Sequence, residues 1–191
     1  MKVEIQPVWK QVTPELAAEL TALWRDNRVS VEESRADQAV CVVRGEDGAL
    51  CGVATATVKV LPRLRQPMYY YRMFFSPLLR GHQQFLPVFQ AAKRVLQDYN
   101  AGLDKPESLG LLLELENGKL GKAYPHAHEP AFDAIFIGYS PRGLQLRVSY
   151  FEDAVLLPPT PVRAPAVAAR DGRAAGAKPA QTHTRHGNGR S

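Results

Sequence analysis

Between Phe74 and Leu96 the chain reads FFSPLLRGHQQFLPVFQAAKRVL, and the residue types there suit capture of an anion. A strand passes through a tight turn containing Arg80 and Gly81 and enters an amphipathic helix. Such a turn aims successive backbone N–H groups and a helix N-terminus at one point, which favours negative charge. Gly81 supplies a permissive backbone position, and the His82 ring or the Gln83 amide can donate a further hydrogen bond. Glu114 and Glu116, spaced two apart on an apolar strand, share one of its faces. If that face lines a cleft, one of them is a candidate proton acceptor; otherwise they pair with Arg72 or other cations, or sit in solvent at the strand end. His126, His128 and Glu129 carry metal-binding groups, but the surrounding sequence offers no further ligands, and no metal is expected. Tyr69, Tyr70 and Tyr71 with Phe74 and Phe75 line a pocket or, more commonly for such residues, build core.

The elements that position these groups follow from periodicity. Val3, Ile5 and Val8 mark a first strand over residues 3–9. Thr13-Pro14-Glu15 signals a helix start, with Thr13 as N-cap and Pro14 at the first helical position. Leu16, Leu20, Leu23 and Trp24 give that helix an apolar stripe to about Arg28, and a second short helix or turn covers residues 31–37. Gly45-Glu46-Asp47-Gly48 separates two β-rich runs as a hairpin. QPMYYYRMFFSP forms an aromatic strand with Tyr69, Tyr71 and Met73 on one face and Tyr70, Arg72 and Phe74 on the other. A helix over residues 82–99 turns Phe85, Val88, Phe89, Ala92, Val95 and Leu96 inward, with Pro87 within its first turn or so, where it costs little. LGLLLELEN reads as a central strand covered on both faces. The segment 118–131 is weak, and two long strands close the domain around Ser140-Pro141-Arg142-Gly143. The order is β-α-α-β-β-β-α-β-(α)-β-β, a mixed sheet flanked by helices, with no internal repeat.

Composition narrows the function classes. The chain has 191 residues, 45% of them hydrophobic, enough for one domain with an ordinary core. Of its 24 basic and 19 acidic residues, six basic and one acidic lie from Pro158 onward, so residues 1–157 hold 18 of each sign. The expected folded domain, 1–157, is therefore neutral, unlike a basic nucleic-acid-binding module. The Pro/Ala/Gly/Arg-rich segment 158–191 has almost nothing to bury and is expected to be disordered, as a solubilising extension or a weak electrostatic contact with an acidic partner. Cys41 and Cys51 flank the first hairpin and are expected as buried thiols rather than a disulfide. No apolar run approaches a membrane span, and MKVEIQPVWK lacks a signal-peptide core, so a soluble, cytoplasmic protein without membrane contact is expected.

The element order and the loop after Phe75 resemble the GNAT acyltransferase superfamily over roughly residues 3–157. In that family a strand ending in V-x-P leads into (Q/R)-x-x-G-x-(G/A), which binds the pyrophosphate of acyl-CoA. Pro77 stands at the family's proline and Arg80-Gly81 at its Arg-Gly pair, while Leu78 and Gln83 depart from it. Asn117, Leu120 and Tyr124 stand at the family's N-x-x-A-x-x-x-Y spacing, with Leu120 replacing the small residue. Phe132 stands three residues later than the Phe that opens the family's sixth strand. The resemblance implies an α/β (α+β) fold with a mixed, mostly antiparallel sheet of about seven strands. It implies an acyl-CoA site formed by Phe74, Phe75, Leu79, Arg80, Gly81, His82, Gln83, Gln84 and Asn117. It also implies that Tyr124 serves as general acid for the departing thiolate, which a phenol can do without itself being charged.

Many members of the family place a Glu on the fourth strand; here that strand has none, and Glu114 and Glu116 are the nearest carboxylates, candidates for the base if their face lines the cleft. The implied activity is N-acylation of a small-molecule or peptide amine by acetyl-CoA or another acyl-CoA. Two alternatives stay open: a long-chain synthase of the N-acyl amino acid or homoserine lactone type fed by acyl carrier protein, and a domain that has lost catalysis and serves binding or regulation. A homodimer is a further partner expectation. The 126–129 insertion is expected as a mobile loop shaping the acceptor pocket.

Overall fold

A computed structural model of the chain describes residues 2–29, 35–79, 83–116, 118–152 and 154–161. Its elements are β1 (Glu4–Pro7), α1 (Pro14–Asp26), β2 (Ala39–Arg44), β3 (Leu50–Val60), β4 (Pro67–Phe75), α2 (Phe85–Ala101), β5 (Gly110–Glu114), α3 (Gly118–Ala123), β6 (His128–Glu129), β7 (Ala134–Tyr139) and β8 (Gln145–Tyr150). The eight strands form one sheet in the order β1-β2-β3-β4-β5-β8-β7-β6. Neighbours run antiparallel except β4 and β5, which are parallel.

Local sequence explains most of this. Thr13 caps α1, its hydroxyl accepting from the Leu16 amide at 3.3 Å, and Pro14 fills the first turn where no N–H partner is lost. The helix ends at Asp26, a little before the expected Arg28, and a single 3-10 turn at Ala36–Gln38 overlaps the end of the short helix or turn expected over 31–37; residues 30–34 lie outside the described residues. Pro87 is the third residue of α2, within the first turn as expected. The eighth strand is β6, two residues that pair with β7 through Phe136 N–H to the Ala127 carbonyl at 2.7 Å.

Each face of the sheet has its own cover. On one face α2 buries Val88, Phe89, Ala92 and Leu96 against Tyr69, Tyr71, Leu111, Leu113 and Val43. On the other, α1 buries Leu20, Leu23 and Trp24 against Ala39, Val42 and Val53. Alternation along β4 sends Tyr69 and Tyr71 to the α2 side and Tyr70 and Phe74 to the α1 side, as a period of two requires. Beyond the reach of α1, Met68, Tyr70, Leu112 and Val148 are covered by Leu61, Leu64 and Leu157. The chain after β8 is tied there: the Thr160 amide donates to the Arg65 carbonyl, and Gln66 exchanges two hydrogen bonds with the Leu157 backbone at 2.8 and 2.9 Å.

Buried Asn100 fixes the α2–β5 connection, accepting from the amides of Glu107 and Ser108 and donating to the Ser108 carbonyl. Ser108 in turn accepts from the Tyr69 amide at 3.0 Å, which sets where β5 begins beside β4. Cys41 and Cys51 are free, buried thiols, and burial pushes the Cys41 thiol up to about 12, leaving it un-ionised at neutral pH. No helix among the described residues is long and apolar enough to cross a membrane.

Candidate active site

The parallel β4–β5 ladder is short, pairing only Tyr69–Tyr71 with Leu111–Leu113. Past that point the strands part. Arg72 to Phe75 stay with β3, ending at Phe75 opposite Gly52, while the Leu115 amide turns to the Gln145 carbonyl beside β8. A cleft opens between them. A cavity of about 220 Å3 at its mouth is lined by Trp24, Arg28, Val29, Val53, Thr55, Arg72, Met73, Phe74 and Glu116. A second, of about 250 Å3, adjoins it through Thr55 and Arg72 and is lined by Arg35, Gln38, Thr57, Lys59 and Tyr70.

Glu114 and Glu116 lie together at this mouth. The Tyr70 hydroxyl donates to Glu114 Oε2 at 2.6 Å, and Arg142 lies 2.8 Å from both Glu114 and Glu116. Arg72 stands 3.8 Å from Glu116. Burial raises the Glu114 carboxyl, but hydrogen bonds from Arg142, Ser140 and Tyr70 override it and bring the carboxyl down to about 2. Its bonds to Glu114 and Glu116 push the Arg142 guanidinium further up. Burial, followed by the bond to Glu114, raises the Tyr70 phenol. The two carboxylates thus differ: Glu114 is nearly enclosed and its charge is fixed, whereas Glu116 is half-exposed and borders the cavity. Arg142 could not have been found from sequence, because only the antiparallel return of β8 beside β5 carries the hairpin turn back to the end of β5.

Tyr124 stands on the opposite face. Its ring meets Phe132 edge-on at 4.9 Å and Phe85 at 5.9 Å, and these join Phe89 and Tyr71 in one aromatic cluster on the α2 side. Its carbonyl accepts from Arg147 at 2.7 Å, and the same guanidinium donates to the His126 carbonyl at 2.9 Å. Arg147 is only 1% exposed, and burial lowers its pKa against the opposing influence of Glu129. The structure therefore gathers Glu114 and Glu116 on one side of the sheet and holds Tyr124 on the other.

The anion loop is described in part. Arg80, Gly81, His82 and Asn117 lie outside the described residues. Phe74 packs toward α1, and Phe75 lies over Gly52, where a Cβ would come within 2.6 Å of its ring. Leu79 is buried, and Gln84 stands at the N-cap position of α2 without a side-chain capping hydrogen bond. Leu78 is 76% exposed and Gln83 is exposed too, so neither departure from the loop pattern is packed into a pocket. Gln83 has φ 52°, a left-handed conformation that favours glycine.

The insertion at 126–129 differs from expectation. Its last two residues form a strand rather than a loop: β6 is the far edge of the sheet, with β7 and β8 between it and β5. It pairs with β7 along one side, Glu129 Oε1 accepts from the His126 amide, and His128 pairs with Asp133 at 3.1 Å. Among the described residues no group of three or more His, Cys, Asp or Glu side chains is placed to hold a metal ion.

No protein-family model matches the sequence, and no curated protein matches it either. Solved structures do. The ribosomal-protein-S5-alanine acetyltransferase from Vibrio fischeri superposes with a TM-score of 0.54 at 9% identity, covering 81% of this chain and 96% of its own. A GNAT-family acetyltransferase from Streptococcus pneumoniae superposes with a TM-score of 0.53 at 13% identity, covering 78% of this chain and 99% of its own. With its sheet parted between two parallel central strands and a helix packed on each face, the chain has the fold of the GNAT superfamily.

Proposed function

We propose that the chain is an N-acyltransferase that moves a short acyl group, acetyl by default, directly from an acyl-CoA thioester to an amine. The observation that carries this reading is the parting of β4 and β5 after Tyr71 and Leu113 with a cavity at its mouth. Residues 72–75 keep β3 on one side and face the cleft on the other, an edge along which an extended chain bearing amides can pair. A cavity of about 220 Å3 that opens to solvent suits a short acyl group better than a long one.

In the proposed reaction the amine nitrogen bonds to the thioester carbonyl carbon and the C–S bond breaks. Glu116, directly or through a water, takes the proton the nitrogen sheds, and the Tyr124 hydroxyl protonates the leaving thiolate. Glu114 is too weak a base at about 2 to share that task; it fixes Arg142 and Tyr70 instead. The reactants meet through the gap in the sheet, reached by Glu116 from one face and Tyr124 from the other. Residues 79–84 form the proposed pyrophosphate loop, with Asn117 steadying the pantetheine arm, and the folded domain is proposed to end at residue 157.

Acetyl-CoA at millimolar concentration should raise the melting temperature by several degrees, since a ligand at 100 times its Kd adds about 2.7 kcal/mol. No shift, together with no CoA release in the presence of a panel of amines, would sink this reading.

A further inference from the structure

Lys93 stands where the apolar stripe of α2 continues. It follows Phe85 and Phe89 at steps of four, so the three share one side of the helix. Val88, Phe89, Ala92 and Leu96 around it are buried, and the Lys93 side chain is itself only 18% exposed. A lysine in such a place gives up most of its hydration, and the ion pair it gains is weak evidence of stabilisation. What the ammonium holds is therefore informative. Its Nζ donates to Ser149 Oγ at 2.9 Å and lies 3.5 Å from Asp133 Oδ2. Ser149 is fully buried and passes the contact on, donating to the Phe132 carbonyl at 3.1 Å.

Residues 132 and 133 are thus gripped at adjacent points from one side chain of α2. Asp133 also meets His128 at 3.1 Å, and the hydrogen bond from His128, with the charge of Lys93, keeps its carboxyl below the usual range. The Asp133 backbone has φ 46°, a left-handed conformation that a residue other than glycine keeps where its surroundings impose it. The side chain fixed by all this is Phe132. Its ring is buried, meets Tyr124 edge-on at 4.9 Å and closes on Phe85 and Phe89 at 5.4 and 5.6 Å. We infer that Lys93, Ser149 and Asp133 form a clamp that fixes Phe132, and that Phe132 in turn sets where the Tyr124 ring lies. All four are positioning residues for Tyr124. The inference rests on the acyl-transfer reading for what Tyr124 does, but the clamp itself is read without turnover. Its consequence is alignment: a phenol protonates a departing thiolate only within hydrogen-bond reach of the sulfur, and a misplacement of about 1 Å can cost about 100-fold.

Two variants of the full chain test the clamp. Lys93→Met keeps an unbranched side chain but removes the ammonium. Asp133→Asn removes one charge at a position where asparagine tolerates positive φ. The Asp133 side chain is 66% exposed, so this second variant should fold even if the first does not. Amide hydrogen exchange reads the clamp directly: residues 131–134 should exchange about fivefold faster or more, while the amides of β2 and β3 keep their protection. Transfer from acetyl-CoA to the most reactive amine of a panel reads the consequence. There kcat should fall about tenfold in Lys93→Met and less in Asp133→Asn, with the KM for acetyl-CoA changed by less than about twofold. Adding Lys93→Met to Tyr124→Phe should bring little further loss. Unaltered exchange at 131–134 overturns the inference. So does faster exchange with the parent's kcat, where Tyr124→Phe does lower it. Faster exchange with no effect of Tyr124→Phe, or with no transfer by the parent, upholds the clamp and refutes the acid role of Tyr124 instead.

Discussion

The Tyr70 hydroxyl reaches across the parallel β4–β5 pair to donate a 2.6 Å hydrogen bond to Glu114. It joins β4 to β5 one step beyond the end of their backbone ladder, on the α1 side of the cleft. With Arg142 gripping the same carboxylate from the β7–β8 turn, three separate segments meet at one charge. The cleft has a fixed floor before any substrate arrives.

That floor has a pH signature. The Glu114 carboxyl is depressed to about 2 in the fold from an ordinary 4.5. Between these values the unfolded chain binds the extra proton, so stability rises with pH across the window and is lost as pH falls through it. Glu114→Gln should cost roughly 1.5–3 kcal/mol at neutral pH, the worth of hydrogen bonds to a charged group. It should also flatten the acid limb of the stability curve below pH 4.5, read by urea denaturation at stepped pH. An unchanged acid limb in the variant would show that Glu114 titrates normally in the fold.

The two carboxylates are expected to separate kinetically. Glu116→Gln should lower kcat for acyl transfer by about 10²–10⁴, the range for loss of a general base, with little change in melting temperature because the residue is half-exposed. Glu114→Gln should show the reverse balance, with stability affected more than kcat. Equal kcat losses from both would mean that the pair acts as a unit rather than in the assigned roles.

Tyr124→Phe isolates the hydroxyl. The ring packs against Phe132 and Phe85 without using it, so the variant should fold with a melting temperature near that of the parent. If the phenol protonates the thiolate, kcat should fall about tenfold or more while the KM for acetyl-CoA changes little. Use of a thioester with a more acidic thiol should restore much of the rate, because a better leaving group needs less help. Absence of that rescue would argue for a packing role alone.

Much of this arrangement was legible in the sequence, and the reasons differ by scale. Period-two alternation assigned both faces of β4 correctly, and Thr13-Pro14 marked the start of α1, because both signals are local. The element order implied the GNAT fold, which the superpositions bear out. The eighth strand was not legible: two residues, His128 and Glu129, have no periodicity and become a strand only because β7 offers an edge. Arg142 was equally hidden, since its partners lie 26 and 28 residues away along the chain. Glu114 and Glu116 could be placed on one face from their spacing, but which one is enclosed depends on where Tyr70 and the β7–β8 turn fall.

Gln83 offers a test of the loop. Holding a side chain in the left-handed region costs roughly 1–2 kcal/mol, and glycine's greater freedom when unfolded returns about 0.5–1 of that. Gln83→Gly should therefore stabilise the chain slightly, by up to about 1.5 kcal/mol. Because the loop is proposed to bind pyrophosphate through its backbone, removing an exposed side chain at φ 52° should tighten acetyl-CoA binding or leave it unchanged. A weaker affinity, measured by calorimetry, would show instead that the Gln83 amide itself contacts the ligand.

Arg147 ties down the backbone on the Tyr124 side of the sheet. Its guanidinium sits 1% exposed between the Tyr124 and His126 carbonyls, and Gln145 Oε1 accepts from it at 3.0 Å. Those carbonyls lie just after α3, a six-residue helix with glycine at positions 118 and 121, which has little stability of its own. Arg147→Met keeps most of the volume but strands both carbonyls and leaves buried Glu129 without its nearby countercharge, which should cost about 3–5 kcal/mol. A single cooperative transition, lowered by many degrees, is the expected melting result. The kinetic consequence separates positioning from stability. At a temperature where the variant is still folded, kcat should fall along with that of Tyr124→Phe, and combining the two substitutions should add little further loss, because both act through one hydroxyl. Fully additive losses would mean that Arg147 supports catalysis by some route other than Tyr124.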